Sequence, residues 1–193
     1  MPVSPCIELN EAQQDNLLVA ARRSIAEGLE RNSPPTPDLA GYDAVMARPH
    51  AVFVTLLQSG NLRGCIGSLE ASKPLIQAVI TSAFNAAFRD PRFKKLQADE
   101  LNRTQIEISV LSSLQLIEIN DRQSLLNSLE PELDGLLLED QGRRATFLPK
   151  VWEKIGVADE FVGQLMLKAG LPAAYWSDSI RCYRYRTLTF AEK

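Results

Sequence analysis

The chain has 193 residues, 45% of them hydrophobic and 23% charged, with a formal net charge of -3. That length and composition suffice for a buried core without disulfide or metal staples, and the acidic balance disfavours nucleic acid or an anionic membrane as the main partner, because both leave a basic footprint. No apolar run approaches the roughly 18 residues of a membrane span, and the N-terminus MPVSPCIELN lacks a basic region followed by an apolar stretch.

The three cysteines, Cys6, Cys65 and Cys182, stand far apart without the CxxC spacing of a zinc site or the even count of a disulfide framework. A reduced, cytoplasmic protein without metal or cofactor is the expectation.

In chain order, Leu17, Leu18, Ala21, Ile25 and Leu29 recur at helical spacing, which predicts a helix over 11–30 with Asn10 and Gln13 as its capping box. Residues 33–38, with Pro34, Pro35 and Pro37, cannot continue it and read as a linker. AVFVTLL at 51–57 and the apolar segment at 62–69 flank a turn at 58–61, a hairpin whose second strand is interrupted by Gly64 and Gly67.

Ser72 is expected to cap a helix that carries Pro74 in its first turn and ends near Arg89-Asp90-Pro91. The alternation of Ile106, Ile108 and Val110 with Glu107 and Ser109 predicts a half-buried strand continuing toward Ile119. A hairpin over 135–148 turns at 140–144, a helix over 159–169 stops at Gly170, and a last strand over 180–185 closes the chain. Hairpins interleaved with helices indicate an α+β fold with a mainly antiparallel sheet, within a single domain over 1–193.

At LRGCIG, residues 62–67, the chain resembles the AMMECR-type domain family, whose prokaryotic members are also called AmmeMemoRadiSam system protein A. The resemblance extends through FVTL (53–56), AAFRDPRF (86–93), IEISVLS (106–112), TFLPKVW (146–152) and KAGLP (168–172), and so covers most of the chain. Two places depart from the pattern: Asp134 precedes Gly135 where relatives tend to carry a basic residue or histidine, and Ile155-Gly156-Val157 replaces a Gly-Trp pair.

The resemblance implies a large lobe and a smaller lobe, with the signature near a cleft. It also implies Memo-type and radical SAM proteins as partners in a modification pathway. It does not bring a known reaction with it.

Cys65 is the candidate nucleophile, redox centre or modification site, with Arg63 and the amides of Gly64 and Gly67 as electrostatic support. The competing reading is a small hydrophobe in a strand. Glu107 is the candidate proton acceptor, against the plain solvent face of a half-buried strand. Arg63, Gly64, Gly67 and Arg92 are the candidate substrate-binding residues for a small molecule or peptide, while Asp90 is assigned to turn structure.

His50, the single histidine, reads as a strand-end residue. The alternative is a non-enzymatic interaction or regulatory module in which LRGCIG shapes the backbone of a docking groove, with Arg143, Arg144, Arg181, Arg184 and Arg186, interleaved with Tyr183 and Tyr185, as the basic aromatic surface of an RNA-linked form. Against it stands an ordinary solvated edge strand.

Overall fold

The computed structural model describes residues 6–38 and 41–193, which divide into two compact units. The first comprises Ile7–Leu111 and Leu188–Lys193; the second contains Ser112–Thr187 and Cys6.

In the first unit, α1 spans Glu11–Arg31, and the capping box forms as expected. Asn10 accepts the amide of Gln13, and the Gln13 side chain accepts the amide of Asn10. Strands β1 (Val52–Gln58) and β2 (Asn61–Ser68) form the predicted hairpin. Its two turn residues, Ser59 and Gly60, have φ of 49° and 79°, the left-handed pair that matches the twist of a tight hairpin.

Helix α2 spans Leu75–Phe88, but Ser72 does not cap it. The free amides of Leu75 and Ile76 donate instead to the carbonyls of Arg48 and Met46, so the preceding loop caps the helix. Strand β3 (Thr104–Leu111) lies beside β1 and ends earlier than the sequence suggests. The following strand, β4 (Gln115–Leu116), pairs in the other sheet.

The first unit's sheet has the order β2-β1-β3-β8, where β8 (Thr187–Ala191) is a closing strand that the sequence reading did not foresee. Val54, Leu56, Ile106 and Ile108 face a core shared with Leu17 and Ile25 of α1 and Leu75, Val79 and Phe84 of α2.

In the second unit, β5 (Gly135–Asp140) and β6 (Arg143–Phe147) form the expected hairpin, and β7 (Arg181–Tyr185) lies between β4 and β5. Helix α3 (Arg122–Ser128) is another unforeseen element, too short to show a periodic apolar face; Leu125 is its buried residue. Helix α4 (Ala158–Lys168) ends before Gly170, whose φ is 75°.

The core of this unit includes Trp152 stacked on Phe161, with ring centroids 3.8 Å apart. The indole Nε1 of Trp152 donates to the carbonyl of Asp134 at 2.7 Å, which satisfies its polar edge. Helices and two antiparallel sheets make the fold α+β, as the sequence patterning indicates.

Candidate functional site

The LRGCIG segment is β2, an edge strand of the first sheet. An edge strand presents unpaired amides and carbonyls that must find partners or water. At Cys65 the partners are side chains from the turn after α2. The Cys65 amide donates to Asp90 Oδ2 at 2.9 Å, and Arg92 Nη2 donates to the Cys65 carbonyl at 3.1 Å.

Asp90 itself is buried and accepts from Arg92 three times: from the backbone amide at 3.1 Å, from Nε at 2.9 Å and from Nη2 at 2.7 Å. The Arg92 guanidinium is the main reason its carboxyl is held at about 2; the amides of Cys65 and Arg92 help, against the opposing effect of burial. Asp90-Pro91-Arg92 therefore acts as a substitute strand, giving an acceptor and a donor where a neighbouring backbone would stand.

Gly64 allows this approach. A Cβ there would lie 2.2 Å from the carbonyl oxygen of Ala86 in α2, so only glycine lets the helix end close against the strand. At Gly67 an added Cβ would meet the Val52 carbonyl oxygen at 2.2 Å and the Phe53 ring at 2.5 Å.

Cross-strand register places the other candidates. Thr55 of β1 lies opposite Cys65 on one side and opposite Glu107 of β3 on the other, so the three side chains form a row on the face away from the core. Thr55 Oγ1 donates to Cys65 Sγ at 3.4 Å. Cys65 is half-buried and Glu107 is buried. Two strand spacings separate Cys65 from Glu107, about 10 Å between backbones, well beyond the reach of one hydrogen bond. Thr55 stands between them.

Arg63 behaves differently from the simple alternation that would put it beside Cys65. The register slips between Leu56 and Leu57, which pair with Gly64 and Leu62, so Arg63 is the extra residue of a bulge. Its guanidinium forms a two-point pair with Glu100, Nε to Oε1 at 2.8 Å and Nη2 to Oε2 at 3.0 Å. Arg63 is the first cause, with smaller help from Gln97 and Gln58, that holds the Glu100 carboxyl at about 2. The guanidinium bonded directly at Cys65 belongs to Arg92, a connection made only in three dimensions.

The other thiols lie elsewhere. Cys182 is fully buried in the second unit, and burial pushes its thiol up to about 12. Burial also raises Cys6, partly offset by the amide of Ser112 and the charge of Arg186. His50 Nδ1 lies 3.1 Å from the Arg48 carbonyl, consistent with a strand-end role. Among the described residues no cluster of three or more His, Cys, Asp or Glu side chains forms a metal site. No helix among them is long and apolar enough to cross a membrane.

The basic aromatic surface of the alternative reading is not continuous. Tyr185 is fully buried, and its hydroxyl bonds Thr146 and the Phe147 carbonyl. Arg186 bonds Glu130 at 2.7 Å. A buried ring has no free face for a base to stack on.

The AMMECR1 family model matches residues 18–190. A protein of Methanothermobacter thermautotrophicus is 36% identical over 188 residues, covering 95% of this chain and 96% of its own. One from Aeropyrum pernix is 34% identical over 203 residues, covering 99% and 83%. The crystal structure of the uncharacterized protein PH0010 from Pyrococcus horikoshii superimposes with a TM-score of 0.90 at 29% identity, covering 97% of this chain and 95% of that one. By sequence match and fold, the chain belongs to the AMMECR1 family.

Proposed function

We propose that the protein is a cytoplasmic component of a modification pathway with Memo-type and radical SAM partners. In this reading it binds a small molecule or peptide along the LRGCIG strand, and Cys65 makes covalent contact with it. The observation that carries the reading is the immobilised cysteine. Asp90 and Arg92 hold both of its backbone polar groups, and Thr55 donates to its sulfur, on a strand edge where a ligand can approach.

Glu107 is the proton acceptor, reached across Thr55 or through a bound molecule that spans the row. Gly64 and Gly67 keep the strand close to its neighbours, and Arg92 supplies the positive charge at the cysteine.

A non-enzymatic docking module is the second reading, favoured by Gly64, whose role is purely geometric. The two separate on the thiol. In a reconstituted mixture with the Memo-type and radical SAM proteins of the same organism, Cys65→Ser should abolish product while leaving the unfolding midpoint unchanged. Full product formation by Cys65→Ser, together with its loss in a folded Gly64 variant, would instead establish the docking module.

A further inference from the structure

The turn that secures Cys65 continues into an uncommonly basic segment. Residues 89–95, RDPRFKK, carry four cations and one acid in a chain whose net charge is -3. Asp90 answers Arg92, but Lys94 and Lys95 are exposed and make no ion pair among the described residues.

Both lysines line a concavity of about 420 Å³ together with Arg63, Phe93, Gln97 and Glu100. The carboxylate of Glu100 does not make this an acidic pocket. Its two oxygens accept from Arg63 Nε and Nη2, from Gln58 Nε2 at 3.2 Å and from the Gln97 amide at 2.8 Å. Arg63 thus cancels Glu100, leaving a local excess of two ammonium groups.

We propose that this concavity binds a phosphate monoester of about mononucleotide size, with Lys94 and Lys95 at the phosphate and Phe93 beside the organic portion. The proposal deepens the binding part of the reading above and rests on it, but it does not use the thiol. The volume falls within the roughly 300–1,000 Å³ of small-molecule sites. Lysine suits a phosphate as a mobile point charge, and half-buried Phe93 offers an apolar surface next to it. An extended polyanion fits less well, because the chain as a whole repels it beyond this patch.

The test uses the full chain carrying Cys65→Ser, so that thiol chemistry plays no part. Its isotopically labelled amides are followed by NMR during titration with adenosine monophosphate, inorganic phosphate, adenosine, or a short single-stranded RNA. The nucleotide should give saturable shifts centred on residues 93–97, phosphate weaker ones at the same amides, and adenosine none. Lys94→Gln with Lys95→Gln should weaken nucleotide binding by about tenfold or more while the remaining spectrum is unchanged.

Absence of saturable shifts with both nucleotide and phosphate overturns the proposal, as does binding indifferent to the double substitution. Salt-steep RNA binding without nucleotide binding would reassign the patch to nucleic acid and overturn it too. Failure of this titration leaves the thiol reading standing, since the test excludes Cys65.

Discussion

Asp90 and Asp134 are both buried carboxylates with arginine nearby, yet their surroundings act in opposite directions. Asp90 receives four direct hydrogen bonds, three from Arg92 and one from the Cys65 amide, and its carboxyl sits at about 2. Asp134 receives one, from the Glu130 amide at 2.9 Å. Arg184 Nη1 stays 3.7 Å from Oδ2 and Arg186 Nε stays 3.9 Å from Oδ1, while Arg186 spends its Nη2 on Glu130.

Asp134 Oδ1 and Arg186 Nε are therefore buried without hydrogen-bond partners, and desolvation raises the Asp134 carboxyl despite that amide and the two positive charges. Proximity of charge does not replace a formed hydrogen bond once water is excluded. The first arrangement secures a strand edge next to the candidate cysteine. The second is an incompletely satisfied network around Asp134.

The largest expected effect comes from turning the first arrangement toward the second. Gly64→Ala places a methyl against the Ala86 carbonyl, pushes the end of α2 from β2 and draws Asp90 off the Cys65 amide. A loss of about 3 kcal/mol is expected from overpacking against rigid backbone, read as a lower urea midpoint. Fast exchange of the Cys65 amide should accompany it. An unchanged midpoint would show that the helix yields freely and that the close approach does not matter.

Asp90→Ala should cost about 2 kcal/mol, since it removes charge-assisted bonds but leaves Arg92, whose side chain is half exposed, able to hydrate. The native chain should also carry an acid limb that this variant lacks. Because the folded pKa of Asp90 is depressed, its contribution is complete above about pH 4 and fades as pH falls toward about 2. Coincident acid limbs in the two proteins, from urea melts between those values, would refute the assignment.

The smallest effect, with the opposite sign, is expected at Asp134. Asn keeps an oxygen for the Glu130 amide and removes the poorly compensated charge, so Asp134→Asn should stabilise by up to about 1 kcal/mol at neutral pH. The folded pKa of Asp134 is raised. Its contribution is thus fully present below the unfolded value and lost as pH rises through the folded one, and the advantage of Asn should vanish on acidification. A destabilised variant at neutral pH would mean that Arg184 and Arg186 need the charge.

The periodic elements were legible from residue order. Apolar spacing marked α1, α2 and β3, the stop at Gly170 marked α4, and glycine turns marked both hairpins, because a 3.6-residue or two-residue period and a left-handed turn are local properties. α3, with seven residues, was too short to show a helical period, β8 follows β7 after a single residue and was not expected, and the strand expected to run past Val110 breaks after Leu111, where the chain leaves the sheet.

At the candidate site, sequence spacing paired Arg63 with Cys65, because strand alternation is the local rule. The bulge at Arg63 breaks that rule, and the partners come from residues 90 and 92. What the sequence determined by itself is the family, the α+β class and the singular LRGCIG strand. Tertiary structure alone decided which charges meet, since a carboxylate is matched or stranded by tenths of an ångström at groups distant along the chain.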